Sequence, residues 1–487
     1  MFLRFPTTLT CLCLLLILPA RAEENGWPLI VKRSDPTGPV ASAECLGPLI
    51  FQHTLADGAE TQGFRPLFMT TQAGEVTTGN FLYPFFTWRR QPDYRSFSFF
   101  QLVNFRSEPT STARPDEHFD IWPVYFSRNS ADSPAENYRA VFPLGGTIKH
   151  RFGKDRINFT LFPLYARTEK NGKQTVHAPW PLLRFIDGNG YHGFEFWPLF
   201  GRQGRDQDYD RQFYLWPLFY KSVTQLDQPV PEVKIGALPF YARDTGPGYI
   251  RETYAWPFFG YTHRTRPDRY DESRYFWNFL VQGRGDQREV NRWAPVYSHS
   301  NIKGYDKTWV LWPLFRHAQW QEPAAGLAQE KNQFLFFVYW SLEQRSLTNP
   351  AAAPARKTHL WPLYSAWDNG AGRQQVQVLS PFEVFFPNNR EVRQLWTPLF
   401  ALYRYDSQPE LGVRHSFLWN AVTYRRTPAS KEFHLGPLFS VEAEPGRRRV
   451  ALGNGLIGFQ RKPGSGWRLF LFDFHMKPTT MAPATTP

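Results

Sequence analysis

The chain has 487 residues, with 56 lysines and arginines against 43 acidic residues, 42 prolines and 34 glycines. Its 18 Trp, 22 Tyr and 44 Phe are too many large apolar side chains for a disordered chain. Of three cysteines, Cys11 and Cys13 fall in the first twenty residues, and Cys45 alone supports neither a disulfide framework nor a Cys-based zinc site.

The first 22 residues have the pattern of an export signal. Arg4 supplies the positive start, Leu9 to Leu18 the apolar stretch, and Ala20-Arg21-Ala22 an A-x-A cleavage site. The apolar run is too short for a transmembrane helix and Pro19 follows it. The mature chain is expected to begin near Glu23. No later stretch reaches the apolar length of a membrane helix, so crossing a membrane would require a closed β-barrel. Without Arg4 and Arg21, 54 basic residues face 43 acidic ones. The signs are interspersed, as in RQGRDQDYDR at 202–211, and only Arg447-Arg448-Arg449 forms a run. A solvated loop surface is expected, and no nucleic-acid partner.

From Trp27 onward the dominant signal is repetition. A Trp-Pro-Leu-Phe-like tetrad recurs with its proline at 28, 48, 66, 84, 123, 143, 163, 181, 198, 217, 239, 257, 295, 313, 362, 381, 398 and 437. Degenerate copies without the proline fill the wider gaps, at Phe99 to Val103, Trp277 to Leu280, Phe334 to Trp340 and Leu418 to Val422. The unit is about 19 residues long and is repeated about 24 times. Apolar centres rich in Phe, Tyr, Trp, Leu and Val alternate with Gly, Pro, Asp and Asn, which predicts one β-strand and its turn per unit. Asp187-Gly188-Asn189-Gly190 and Thr245-Gly246-Pro247-Gly248 are strong turn signals. The expected domains are a signal peptide at 1–22, one β-repeat domain at 23–476 and a disordered Thr/Pro/Ala tail at 477–487.

Strand alternation sorts each unit into two faces. The proline face reads Phe159, Leu161, Pro163, Tyr165 and then Arg167, or Phe213, Leu215, Pro217, Phe219 and then Lys221. Four such positions would cover roughly 20 to 23 Å at ~3.3 Å per residue. That is near the ~25 Å apolar band of outer-membrane barrels. The segment GWRLFLFDF at 466–474 has the alternation of a terminal barrel strand. Signal, strand repeats and this segment together resemble the bacterial outer-membrane β-barrel class, at the level of architecture. The resemblance implies an all-β antiparallel meander of about 22–24 short strands closed as a large β-barrel.

Two features oppose a plain porin. The other face carries Trp and Leu, as in Glu195, Trp197, Leu199, Gly201, where a porin lumen is polar. Proline in mid-strand also removes a ladder donor, so each copy would need a bulge or a bend. A β-propeller or stacked-sheet repeat protein is therefore the alternative.

Motifs for chemistry are weak. Gly188 to Gly193 and Gly453 to Gly458 satisfy G-x-G-x-x-G, but no helical pattern follows either, so turn or strand glycines are expected. Asp206, Asp208 and Asp210 open like a calcium loop, yet Arg211 and Pro217 stand where glycine and glutamate are required. Arg284-Gly285-Asp286 is a tripeptide too short to carry weight. No H-E-x-x-H, nucleophile elbow or catalytic-cysteine signature occurs. Catalytic, cofactor and metal residues are thus all read as none. The functional expectation is a non-enzymatic outer-membrane barrel acting as channel, conduit or scaffold, with membrane lipid as partner and an envelope protein or glycan as a further one. Trp197, Trp216, Trp256, Trp312 and Trp361 would line an inner belt. The alternative is a secreted or periplasmic propeller-like protein binding glycan or protein ligands.

Overall fold

The computed structural model describes residues 23–34, 41–54, 57–111, 114–409 and 412–473. The export signal expected at 1–22 and the disordered tail expected at 477–487 lie outside the described residues. The described residues form an all-β antiparallel meander of 45 strands, each three to eight residues long. Among the described residues no helix is long and apolar enough to cross a membrane.

The strand count corrects the expected 22–24, and the reason is the place of the tetrad. It is a turn, not a strand centre. The strand Lys154–Thr160 ends where Leu161-Phe162-Pro163-Leu164 turns the chain, and Tyr165–Lys170 runs back, with Thr160 paired to Tyr165. In the same way Tyr209–Tyr214 and Phe219–Thr224 flank Leu215 to Leu218. Each unit of about 19 residues is therefore a hairpin, closed at one end by the tetrad and joined to the next at the other end by a short polar loop. The apolar face of seven consecutive residues does not exist as such, because its two halves lie on adjacent strands.

The turn geometry resolves the proline problem. Most of the tetrad prolines follow a cis peptide bond, including Phe162-Pro163, Trp197-Pro198, Trp216-Pro217 and Trp312-Pro313. Pro217 stands third in a four-residue turn closed by the Leu218 N–H donating to the Leu215 carbonyl at 2.8 Å. No ladder bond is asked of it.

Two compact units are formed, one by Asp93–Phe336 and the other by the stretches up to Pro92 and from Phe337. In the first, every strand from Arg95–Phe99 to Leu327–Phe334 pairs with its successor. Such an unbroken ladder is not divided into the four-stranded blades of a propeller. Its core of Phe126, Tyr138, Ala140, Ile148, Phe159 and Ala166 lies on one face of consecutive strands. In the other unit, the short helix Arg390–Leu395 buries Leu395 against Phe51 and Met69, and the Asn389 side chain caps it by accepting from the Val392 N–H at 2.8 Å.

Several strand glycines have a packing reason. Gly79, Gly201, Gly236 and Gly458 pair across the ladder with Trp88, Phe213, Tyr220 and Phe470. A Cβ at any of them would lie within 2.5 Å of an atom of the partner's ring, and at Gly458 it would also meet the Val450 carbonyl oxygen. The aromatic side chain folds flat over the glycine and covers backbone that would otherwise face water.

Candidate lipid-facing edge

The hairpin architecture sets all tetrads of a unit along one end of its strands. Their backbone is unusually complete. At Leu215–Leu218, the Leu215 N–H donates to the Leu199 carbonyl at 2.6 Å, Trp216 to Pro198 at 2.7 Å and Leu218 to Leu215 at 2.8 Å, while Pro217 has no N–H. Leu161 to Leu164 bond identically, to Leu144, Pro143 and Leu161, each at 2.8 Å. Leu311 to Leu314 do so to Val296, Pro295 and Leu311, at 2.7, 2.7 and 2.8 Å. In these three turns the proline is the one residue without an N–H to satisfy. Each turn is laced to the turn before it, so the ladder continues through the strand ends.

The side chains on this edge are large, apolar and exposed. Where the strands enter the turns, registered partners form a row: Phe196, Phe200, Tyr214, Phe219, Ala237 and Tyr241, continuing through Tyr254 and Phe259. Tyr214 is 58 % exposed and Phe219 47 %. Beyond them project Leu164, Leu199, Leu218 and Phe240, the last 77 % exposed. The second unit carries an equivalent row, in which Phe417, Val422, Leu435, Phe439, Leu452 and Ile457 follow one another across the ladder.

The apolar layer is thin. One step along the strands, the same face carries Arg202, Gln212, Lys221, Ile235, Arg243 and Glu252 as successive partners. One further step brings Asp210, Val223 and Val233. From the row to the turn tips is about two residues, roughly 7 Å at ~3.3 Å per residue. Lys221 forms no ion pair among the described residues, whereas Arg202 is held by Asp210 at 2.9 Å and Arg243 by Glu252 at 3.5 Å.

The five tryptophans expected in an inner belt occupy equivalent tetrad positions, each at the tetrad edge of its own unit. Trp197, Trp216, Trp256 and Trp312 belong to one unit and Trp361 to the other, and they are 40, 47, 46, 57 and 38 % exposed. Trp216 lies edge-on to Phe213 and near Tyr220, with ring centroids 6.0 and 6.3 Å away, on the face opposite the Tyr214–Phe219 row. In each unit these tryptophans stand at the ends of the strands.

Sequence reasoning missed a charged interior in the unit that contains the first and last strands. Arg65 takes the tryptophan place of the tetrad Arg65-Pro66-Leu67-Phe68 and is 1 % exposed. It donates to Glu44 at 2.9 Å and to the carbonyls of Pro48 and Gln394 at 2.6 Å each, and stacks 4.0 Å above the Phe51 ring. Asn420 bridges from Glu44 at 2.7 Å to Arg414 at 2.8 Å, and Arg414 grips Glu23 through two bonds of 2.8 and 2.6 Å. Burial alone would raise the Glu23 carboxyl, but the Arg414 guanidinium outweighs it and holds the group down at about 2. His53, beside Arg65 at 3.2 Å, is lowered to about 3 by burial and by that cation. The substitution of Arg for Trp in an otherwise regular tetrad is the signal that marked this site. Every carboxylate in it is matched by a guanidinium, as a structural network requires.

The weak motifs fall on turns. Asn189-Gly190 joins the strands Leu183–Gly188 and Tyr191–Phe196, and Gly453 to Leu456 form the turn before Ile457–Arg461. Asp206 and Asp208 sit in a loop, Asp208 facing Arg205 at 3.4 Å. Among the described residues no group of His, Cys, Asp and Glu is arranged to hold a metal ion. No protein-family model matches the chain, and no curated protein matches it at a significant level.

Proposed function

We propose that this protein is a non-enzymatic scaffold of the cell envelope that seats its tetrad edge in one leaflet of a membrane, the outer membrane being the destination in keeping with the export signal expected at 1–22. The observation that carries this reading is the tetrad turn itself: at Leu161–Leu164, Leu215–Leu218 and Leu311–Leu314 every exposed side chain is apolar and every backbone N–H is bonded within the protein. Lipid tolerates backbone only when its polar groups are satisfied within the protein. A turn in water has no such need and is usually polar.

Depth favours one leaflet over a crossing. An apolar layer of roughly 7 Å matches the ~5–10 Å reached by interfacial elements and falls far short of the ~30 Å hydrocarbon core. Trp and Tyr at the margin, with Arg and Lys one step behind, follow the order of a membrane interface. The five tryptophans would then line the lipid-side rim. Closure of the sheet is part of the proposal, because an open sheet leaves two long edges to pair with other chains. It is supported by the first strand, where Asn25 donates to the Asn420 carbonyl at 2.8 Å and its own carbonyl accepts from Asn454 at 3.0 Å.

Vesicle flotation tests the reading. The wild type should float with phospholipid vesicles and resist carbonate extraction, and Trp216→Ser, Leu218→Ser and Phe219→Ser combined with the same changes at Trp312, Leu314 and Phe315 should lose at least tenfold in binding. Lipids brominated near the headgroup should quench tryptophan fluorescence more than lipids brominated near the chain ends. Equal quenching by both would sink the one-leaflet claim, and a wild type that stays in the soluble fraction would sink the membrane role altogether.

A further inference from the structure

One cavity of about 380 Å³ opens beside the edge, within Asp93–Phe336. Its lining begins at the tetrad turns, with Trp122, Phe142, Phe162 and Trp180, and ends at Phe152 in the turn at the opposite end of the strands. Six-residue strands rise roughly 20 Å, so the cavity follows the hairpins over their height. Phe142 and Phe162 face each other at 5.3 Å, and Phe162 and Trp180 at 5.6 Å. Trp122 and Trp180, each about half exposed, flank the edge end, and Phe152 is 57 % exposed at the other.

The apolar character is local. The registered row Phe126, Ala140, Gly146, Phe159 and Ala166 continues on the next strands as His177, Arg184 and Glu195. Further along this face the Phe213 and Tyr220 rings cover Gly201 and Gly236, and Arg184 pairs with Glu195 at 3.1 Å. The polar residues in the lining are Thr168 and His177, and the His177 Nδ1 is buried without a hydrogen-bond partner among the described residues. Burial and the nearby Arg184 hold this imidazole near 4, hence neutral at ordinary pH.

We infer that this cavity binds one acyl chain of a membrane phospholipid, drawn in from the leaflet at the tetrad edge. The inference rests on the lipid-facing reading of that edge, because the same tetrad side chains line both. Its volume and nearly all-hydrocarbon wall are those of an apolar ligand site with few polar groups. A phospholipid chain needs no displaced charge and meets aromatic surface along its length. The unpartnered His177 nitrogen offers a hydrogen bond to the ester region or to a bridging water.

Electron spin resonance of a phosphatidylcholine carrying a nitroxide on one chain, in vesicles, tests the site. The wild type should show an immobilised component saturating at one lipid per chain. Ala166→Trp, which fills the cavity, and Phe152→Asp, which places a carboxylate at its exposed end, should each reduce that component at least tenfold while vesicle flotation is retained. Circular dichroism checks that Ala166→Trp is folded, and the exposed Phe152→Asp keeps the test alive if it is not. Retention of the immobilised component in both variants would overturn the site. A wild type that does not float yet immobilises nitroxide-labelled stearic acid in buffer, sensitive to both substitutions, would overturn the phospholipid source and the lipid-facing edge together. Under that outcome the cavity is a site for free fatty acid.

Discussion

The Arg65 guanidinium donates to Glu44 at 2.9 Å from the place that tryptophan holds in eight of the other seventeen proline-containing tetrads, and both side chains are largely withdrawn from solvent. Removing one partner of such a pair strands the other charge in a poorly hydrated site. Arg65→Ala should therefore destabilise the unit by ~3–5 kcal/mol, measured by urea unfolding. Adding Glu44→Gln should recover part of the loss, because the uncompensated carboxylate is then gone. A loss under about 1 kcal/mol would mean that the pair behaves as a surface contact.

Acid should unfold this unit before it disrupts the rest. His53 lies among Arg65, Glu44, Arg33 and Arg404, and burial with the Arg65 charge lowers its pKa from 6.5 to about 3. The unfolded chain thus binds a proton between about pH 6.5 and 3 that the folded chain refuses, so stability falls as pH drops through that window. Glu23, depressed to about 2, adds a loss in the same direction below its ordinary value of 4.5. His53→Gln retains an acceptor for Arg65 and removes one titrating group. The proton uptake on unfolding near pH 5 should fall by about one, and an unchanged pH slope would show that His53 is protonated in the folded state.

The repeat, the all-β class and the positions of the polar loops are legible in the sequence, because strand-forming runs and Gly-rich turns alternate at a fixed period. The role of the tetrad is not. Leu215-Trp216-Pro217-Leu218 is as apolar as a buried strand, and composition alone assigns apolar segments to strands and polar ones to turns. Pro217 held the correcting signal, since a proline at every strand centre is incompatible with a ladder, whereas a proline third in a turn is not. A second hint was distance. Gly190 lies about midway between Pro181 and Pro198, leaving room for a strand on each side. Arg65 and Arg414 were out of reach because Gln394 and Glu23, which they bind, lie 329 and 391 residues away along the chain.

Gly236 should resist enlargement despite its ordinary strand conformation. The Tyr220 ring lies flat over it from the neighbouring strand, so a methyl group would collide with the ring atoms. Gly236→Ala must swing Tyr220 off its partner and should cost ~1–3 kcal/mol in chemical denaturation. Tyr220→Ala combined with Gly236→Ala should cost less than the sum of the single changes, because the clash and the ring are removed together. Strict additivity would show that the two residues do not pack as a pair.

The charges one step behind the aromatic row should set a preference for anionic lipid. Lys221 and Arg243 stand two residues beyond Phe219 and Tyr241 on the same face. A lysine or arginine near an anionic surface contributes about 1 kcal/mol, or roughly fivefold in binding per residue. Lys221→Glu with Arg243→Glu should thus weaken binding to vesicles rich in anionic lipid by at least ~25-fold and leave binding to zwitterionic vesicles nearly unchanged. The Phe219 and Tyr241 rings still enter the leaflet in that variant. Raising the salt should reproduce most of the loss in the wild type, because exposed charges are screened beyond ~8 Å at physiological ionic strength. Equal losses on both vesicle types would instead mean that the substitutions damage the strands, which a change in circular dichroism would register directly.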